Sequence, residues 1–226
     1  MIDEDLYIKW HKDKYVLLSL YVDYILIARN DLEFVQTIKR WLPSTFKMKD
    51  IREVSYIFGV KIHRDHSIKL MTLSQEHYIK KILEWFNMQD YNPIDTPFVR
   101  SENLSKEIGL KTLKEKKKMS NVPYSSVVGS LMHAMMCTIL DICYVFGMVS
   151  YYQANPGMMH WKVVKRILRY LKDTMDYSLC YQGKELRLVG YLNVNWGGDL
   201  DIYIYIYICT CLIMVSSHGE ARNKLV

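Results

Sequence analysis

Two apolar runs, Tyr15–Val22 and Tyr24–Ala28, stand near the start of the chain with a single acid, Asp23, between them. β-Branched and aromatic residues dominate both runs, which predicts two buried strands. Asp23 falls where a tight hairpin turn belongs, and Asp is a frequent turn residue. The period then changes. Asn30 and Asp31 offer an N-cap, with Glu33 placed to complete a capping box from Asn30. Phe34, Val35, Ile38 and Leu42 recur at helical spacing, and Pro43 is expected to end that helix. Val54–Ile62 and Lys69–Leu73 read as two more strands, separated by the polar segment His63–Ser67. Ser74 is placed to cap a helix over Gln75–Phe86. Its apolar face is Tyr78, Ile79, Ile82, Leu83 and Phe86, with Lys80 and Lys81 on the other side.

Pro93 and Pro97 mark an extended linker. Residues 100–121 are polar, and Lys111–Lys118 holds five lysines, which reads as a solvated connector. Helices are expected over Ser125–Thr138 and Asp141–Tyr152, and Asn155-Pro156-Gly157 breaks the pattern. Met158–Lys172 is the strongest amphipathic helix. Trp161, Val164, Ile167, Leu168 and Leu171 form its stripe, and Lys162, Lys165, Arg166, Arg169 and Lys172 cover the rest. A helix so charged can lie on a phosphate backbone, where cations displace condensed counterions. It can equally be an amphipathic helix with a basic solvent face. Strand-like runs follow at Tyr177–Tyr181 and Leu186–Leu192, with Gly183 in the turn between them. Ile202–Ile208 is a strict Ile-Tyr alternation, followed by Cys209-Thr210-Cys211. It can be read as a two-faced strand. It also fits a translated microsatellite, since an alternating AT tract encodes Ile and Tyr in turn.

Composition narrows the class. The 226 residues suffice for one large domain or two small ones. Half are hydrophobic and 24% charged, the balance of a chain able to bury a core. The net charge of +6 and a pI near 8.9 fit a polyanionic partner, or a basic surface with no partner. The five cysteines include no Cys-x-x-Cys pair, so they do not form a zinc pattern and read as reduced thiols. Met1–Trp10 carries three acids and no apolar stretch, unlike a secretory signal, and no run of about 18 apolar residues suggests a membrane helix. An intracellular protein, cytoplasmic or nuclear and not membrane-bound, is expected. The seven histidines show no metal spacing, and His160 beside Trp161 reads as a packing residue at a helix start. There is no Gly-rich phosphate loop and no Gly-x-Ser-x-Gly elbow, so no small-molecule cofactor is indicated.

Tyr21-Val22-Asp23-Tyr24, inside an apolar hairpin, resembles the Tyr-Val-Asp-Asp box of reverse transcriptases, and the surrounding LYVDYILIARND resembles its Ty1/copia-type version. Further segments agree in order: Phe58-Gly59-Val60, Leu73-Ser74-Gln75, Pro123-Tyr124, Val128-Gly129-Ser130-Leu131-Met132, Asp141-Ile142, Asn155-Pro156 and His160-Trp161. So do the run Lys165 to Lys172, Gly190-Tyr191 and Trp196-Gly197-Gly198-Asp199. The chain is thereby identified as similar to a Ty1/copia-type retrotransposon Pol polyprotein over about residues 5 to 201. The resemblance implies an α+β fold. A partial reverse-transcriptase palm and thumb (1–95) would be followed by a helical connection (96–176), a truncated RNase H-like sheet (177–201) and an unmatched low-complexity tail (202–226). It implies RNA and DNA as partners and Mg2+ as the metal.

The same resemblance argues against catalysis. Nucleotidyl transfer uses two metals about 3.5–4 Å apart, held by carboxylates. The family's box supplies two adjacent Asp residues, and a third comes from an earlier strand. Here Asp23 is vestigial as catalytic and metal residue, because its neighbour is Tyr24, and a phenol is a poor magnesium ligand. The chain begins only about twenty residues before the box, so the earlier strand is expected to be absent. In the RNase H portion, Asn193 and Asn195 stand where the family carries Asp. An amide is neutral and cannot offset a metal's charge as a carboxylate does.

Overall fold

The computed structural model describes residues 5–30, 32–99, 104–182, 188–189 and 214–215. Two compact units divide the chain, Met1–Val54 and Ser55–Val226. Together they are mixed α+β, built from antiparallel sheets and helices.

The first unit is a three-stranded meander. Strand β1 (Leu6–His11) pairs with β2 (Lys14–Tyr21), and β2 pairs with β3 (Tyr24–Arg29). The apolar, β-branched and aromatic runs predicted the spans of β2 and β3 closely but not their burial: Val16 is buried, whereas Tyr21, Tyr24 and Leu26 meet solvent. Strand β1, with Leu6, Ile8 and Trp10 in alternation, went unrecognised. Both hairpins close through two residues, Lys12-Asp13 and Val22-Asp23. In each, the first turn residue takes a positive φ, 55° at Lys12 and 48° at Val22, as tight hairpins of right-handed twist require. Helix α1 (Leu32–Thr45) follows, and two sequence expectations are corrected there. Pro43 lies inside the helix, not at its end: it removes one donor to the i−4 carbonyl, but the helical turn continues past it, with Phe46 N donating to Leu42 O at 2.8 Å. The Asn30 side chain turns to the sheet: its Oδ1 accepts from Tyr15 N at 2.8 Å and its Nδ2 donates to Asp13 O at 2.7 Å. Asn30 thus ties the end of β3 to the first hairpin.

The second unit opens with a sheet in the order β4 (Tyr56–Ile57), β5 (Val60–Asp65), β6 (Leu70–Ser74), β7 (Ser178–Gln182). The single strand expected over Val54–Ile62 is instead the tight hairpin β4–β5. Phe58 (φ 49°) and Gly59 (φ 76°) both adopt the left-handed region, as in a type I′ turn. β7 runs antiparallel to β6 with Leu70 opposite Gln182 and Ser74 opposite Ser178. Helix α2 (Glu76–Trp85) starts where Ser74 Oγ accepts from Glu76 N at 3.3 Å. The lysine run is solvent-exposed, as expected of a solvated connector, and it is also helical. Leu113–Met119 forms helix α3 with a complete capping box between Thr112 and Glu115, and Met119 is buried.

Helices α4 (Tyr124–Cys137), α5 (Cys143–Tyr151) and α6 (Met158–Asp173) match their predicted spans. With α2 they enclose the main core. Ile79 and Ile82 come from α2, Val127 and Leu131 from α4, Val145 and Val149 from α5, and Val164, Ile167, Leu168 and Leu171 from α6. Tyr124 OH donates to Val149 O at 2.8 Å, so a buried phenol also satisfies a backbone carbonyl near the end of α5. Gly157 precedes α6 because a Cβ there would run into the carbonyl oxygen of Ile108. Strands β8 (Leu188–Val189) and β9 (Met214–Val215) make a short antiparallel pair. Asn193, Asn195, the Trp196–Asp199 segment and the Ile-Tyr tract lie outside the described residues.

Candidate catalytic turn and basic helix

The register Tyr21↔Tyr24 leaves Val22 and Asp23 alone at the tip of the β2–β3 hairpin. Both face solvent, and Val22 is 88% exposed. A β-branched residue at positive φ is strained by about 1–2 kcal/mol, so this tip is shaped by the strands it joins and not by its own preference. Asp23 brings one carboxylate to the tip, and the adjacent strand position supplies the Tyr24 phenol. Among the described residues, no group of three or more His, Cys, Asp or Glu side chains is arranged to hold a metal ion. The donor set at this turn therefore does not fit a magnesium pair, which takes several hard oxygen ligands in near-octahedral geometry.

The basic helix carries the other candidate residues. Its apolar side is fully committed: Val163, Val164, Ile167, Leu168 and Leu171 are completely buried, along with His160. His160 Nδ1 accepts from Gly157 N at 2.8 Å, and its ring stacks on Tyr152 at 4.2 Å. An accepting Nδ1 is unprotonated, so His160 serves as a cap and packing residue, as its position suggested.

The cations of α6 hold the proline-marked segment. Arg166 Nε donates to Thr96 O at 3.1 Å and its Nη2 to Thr96 Oγ1 at 2.7 Å. Arg169 Nε donates to Asn92 O at 2.6 Å. Lys172 Nζ donates to Gln89 O at 2.5 Å and Tyr91 O at 2.9 Å. In the backbone, Ile94 N donates to Arg169 O at 3.4 Å. Residues 89–96 are thereby strapped along the helix, with Ile94 and Phe98 packed on the core. Four of the five predicted cations, Lys162, Lys165, Arg166 and Arg169, also line one open cleft with Tyr91. Tyr91, Asn92 and Thr96 are the residues that sequence reasoning missed here. They lie in a linker with no periodicity, and nothing local marks them as partners of a helix some seventy residues on.

Residues 1–100 match the reverse transcriptase (RNA-dependent DNA polymerase) domain family. The chain is 42% identical over 193 residues to the retrovirus-related Pol polyprotein from transposon TNT 1-94 of Nicotiana tabacum, covering 85% of this chain and 14% of that protein. It is 32% identical over 202 residues to the corresponding polyprotein from transposon RE1 of Arabidopsis thaliana, covering 89% of this chain and 13% of that one. An uncharacterized mitochondrial protein of Arabidopsis thaliana is 30% identical over 182 residues, covering 80% of this chain and 72% of its own length. No solved structure matches. The domain match and the relatives point to one class, reverse-transcriptase sequence from a mobile element. The chain belongs to the Ty1/copia-type retrotransposon Pol family. It spans about one seventh of the polyproteins it matches first. No helix among the described residues is long and apolar enough to cross a membrane.

Proposed function

We propose that this chain is a fragment of a Ty1/copia retrotransposon reverse transcriptase that has lost nucleotidyl transfer. The observation that carries this reading is the hairpin tip, where Asp23 is the lone carboxylate and Tyr24 takes the adjacent position. A two-metal mechanism requires several carboxylates around the reacting phosphate, and losing one of them removes the clamp on attacking and leaving oxygens. The palm and thumb remnant over 1–95, the connection over 96–176 and the RNase H-like start over 177–201 belong to the same proposal. So does the loss of RNase H chemistry through Asn193 and Asn195. The test is primer extension on a poly(rA)–oligo(dT) template with magnesium and then manganese, using the chain beside a Tyr24→Asp variant. Neither protein is expected to incorporate nucleotide. Incorporation by the wild-type chain would sink the reading.

A second reading is favoured by the cleft on α6: a non-catalytic nucleic-acid-binding module. Four cations on one side of one helix, next to an exposed aromatic ring, suit a polyanion with flat bases. Affinity for oligonucleotides that falls steeply with salt supports it, and no binding at low salt excludes it.

A further inference from the structure

Among the described residues, Arg166 and Arg169 make their hydrogen bonds to neutral oxygens of Asn92 and Thr96, and neither pairs with a carboxylate. A guanidinium has five N–H donors. The strap uses two from Arg166 and one from Arg169, which leaves donors on both for a further acceptor. Lys165 adds a charge that the strap does not use at all. These groups converge with Lys162 and Tyr91 on a cleft of about 130 Å³ that opens to solvent. At roughly 30 Å³ per water, the space suits a few waters or one tetrahedral oxyanion. Like charges gathered on one cleft repel one another, and a bound anion relieves that repulsion.

The geometry is prepared before any ligand arrives. Thr96 fixes the plane of Arg166 through two hydrogen bonds, and Asn92 fixes Arg169. Lys172, the fifth cation of the helix, lies outside the cleft. It holds the backbone carbonyl of Tyr91, so it positions the aromatic wall instead of charging the pocket. Groups already immobilised lose little freedom on binding. Tyr91 is 47% exposed, which leaves much of its surface open beside the cations.

We propose that this cleft is a phosphate subsite for one nucleotide of a single strand, with Tyr91 as the surface against which the adjoining base lies. An unpaired base can reach the ring face, whereas a base stacked in a duplex cannot, so the site selects single strands. The inference rests on the nucleic-acid-binding reading above and narrows it to one cleft and one ligand unit.

The experiment is fluorescence anisotropy of a labelled oligo(dT) titrated with the full chain over a range of salt. Wild type and the variants Lys165→Gln, Tyr91→Ala, Tyr91→Phe and Lys117→Gln are compared. Lys117→Gln removes the same charge from the exposed lysines of α3. Lys165→Gln is expected to weaken binding several-fold and to flatten the salt slope by about 0.7. Tyr91→Ala is expected to cost roughly fivefold or more, with the slope unchanged, and Tyr91→Phe to retain affinity. Lys117→Gln should have a smaller effect than Lys165→Gln. Competition separates the ligand sources. Thymidine 5′-monophosphate should displace the strand better than inorganic phosphate, thymidine should not compete at equal concentration, and the matching duplex should bind more weakly. Tight strand binding with no response to Lys165→Gln or Tyr91→Ala, or an equal response to Lys117→Gln, overturns the cleft and leaves general nucleic-acid binding standing. No wild-type binding at low salt overturns both.

Discussion

Residues 1–54 and residues 55–226 use apolar sequence to different ends. In the first unit, Val16 and Val35 are the buried hydrophobic side chains among the described residues, at 1% and 3% exposure. Tyr7, Ile8, Trp10, Tyr24, Leu26 and Trp41 meet solvent. In the second unit, four helices close over a continuous core in which Ile82, Leu131, Ile167 and Leu168 are completely buried. Strand pairing and turn geometry are satisfied in both. Hydrogen-bonded ladders therefore define where the strands of the first unit run, but side-chain burial contributes little to holding them. The hairpin that resembles a catalytic box belongs to the unit with the thinner core.

The largest test of this contrast is a matched pair of truncations. Leu131→Ala should lower the stability of the second unit by about 2–5 kcal/mol, because the lost contacts leave a cavity. Leu26→Ala in the first should change stability by no more than about 0.5 kcal/mol. Urea unfolding followed by tryptophan fluorescence reads both, and equal losses would erase the distinction.

Tyr124→Phe should cost about 1 kcal/mol at neutral pH, since the Val149 carbonyl loses the phenol donor and keeps only the longer bond from Tyr152 N at 3.3 Å. The same residue gives the second unit an alkaline weakness. Burial pushes the Tyr124 phenol well up, and burial together with a hydrogen bond to Asp141 does the same for Tyr170. A folded-state pKa raised above the unfolded one contributes stability below the ordinary tyrosine value, about 10, and loses it as pH climbs beyond. The denaturation midpoint should fall steeply above that pH, and less steeply in Tyr124→Phe.

In the first unit, Val22→Gly should stabilise the hairpin by about 1 kcal/mol by removing a β-branched residue from positive φ. Slower hydrogen exchange in β2 and β3 is the readout, and faster exchange would show that Val22 is not strained. Asp50→Asn should produce the smallest effect. The Arg52 N–H, then the Lys39 ammonium, hold the Asp50 carboxyl below the usual aspartate range. That contribution is fully present above about pH 4 and is lost as pH falls through the lowered folded-state pKa. On an exposed pair it should amount to no more than about 0.5 kcal/mol at pH 7. The gap between wild type and variant should then narrow steadily as pH falls below about 4, and a gap that does not narrow would assign Asp50 another role.

What was legible in the sequence followed from local pattern and composition. The helices α2 and α6 repeat an apolar stripe, α4 and α5 are runs of small and apolar residues, β2 and β3 are apolar runs rich in β-branched and aromatic residues, and the structure matches their spans. Missed features depended on partners elsewhere, or on a local signal masked by composition. Phe58-Gly59 was hidden as a turn because Phe seldom accepts positive φ, and Tyr78 packs over Gly59 to hold it there. Thr112 and Glu115 did spell a capping box, but the surrounding lysines suggested a solvated run. Asn30 looked like a cap because its neighbours are helical, yet its amide answers the first hairpin. On α6 the positions of the cations were readable. Their neutral partners across the strap were not, because those contacts are set by tertiary packing.

The pairing of β7 with β6 joins segments roughly a hundred residues apart. During synthesis, β6 would leave the ribosome long before its partner exists. At about 5–20 residues per second, its edge would wait on the order of 5–20 s for closure. Every helix of the main core, from α2 directly after β6 to α6, is translated within that interval. The sheet is therefore completed last, by a strand delivered once the helical layer can hold it, and a nascent chain stalled before Ser178 would present an open edge to its neighbours on the same message.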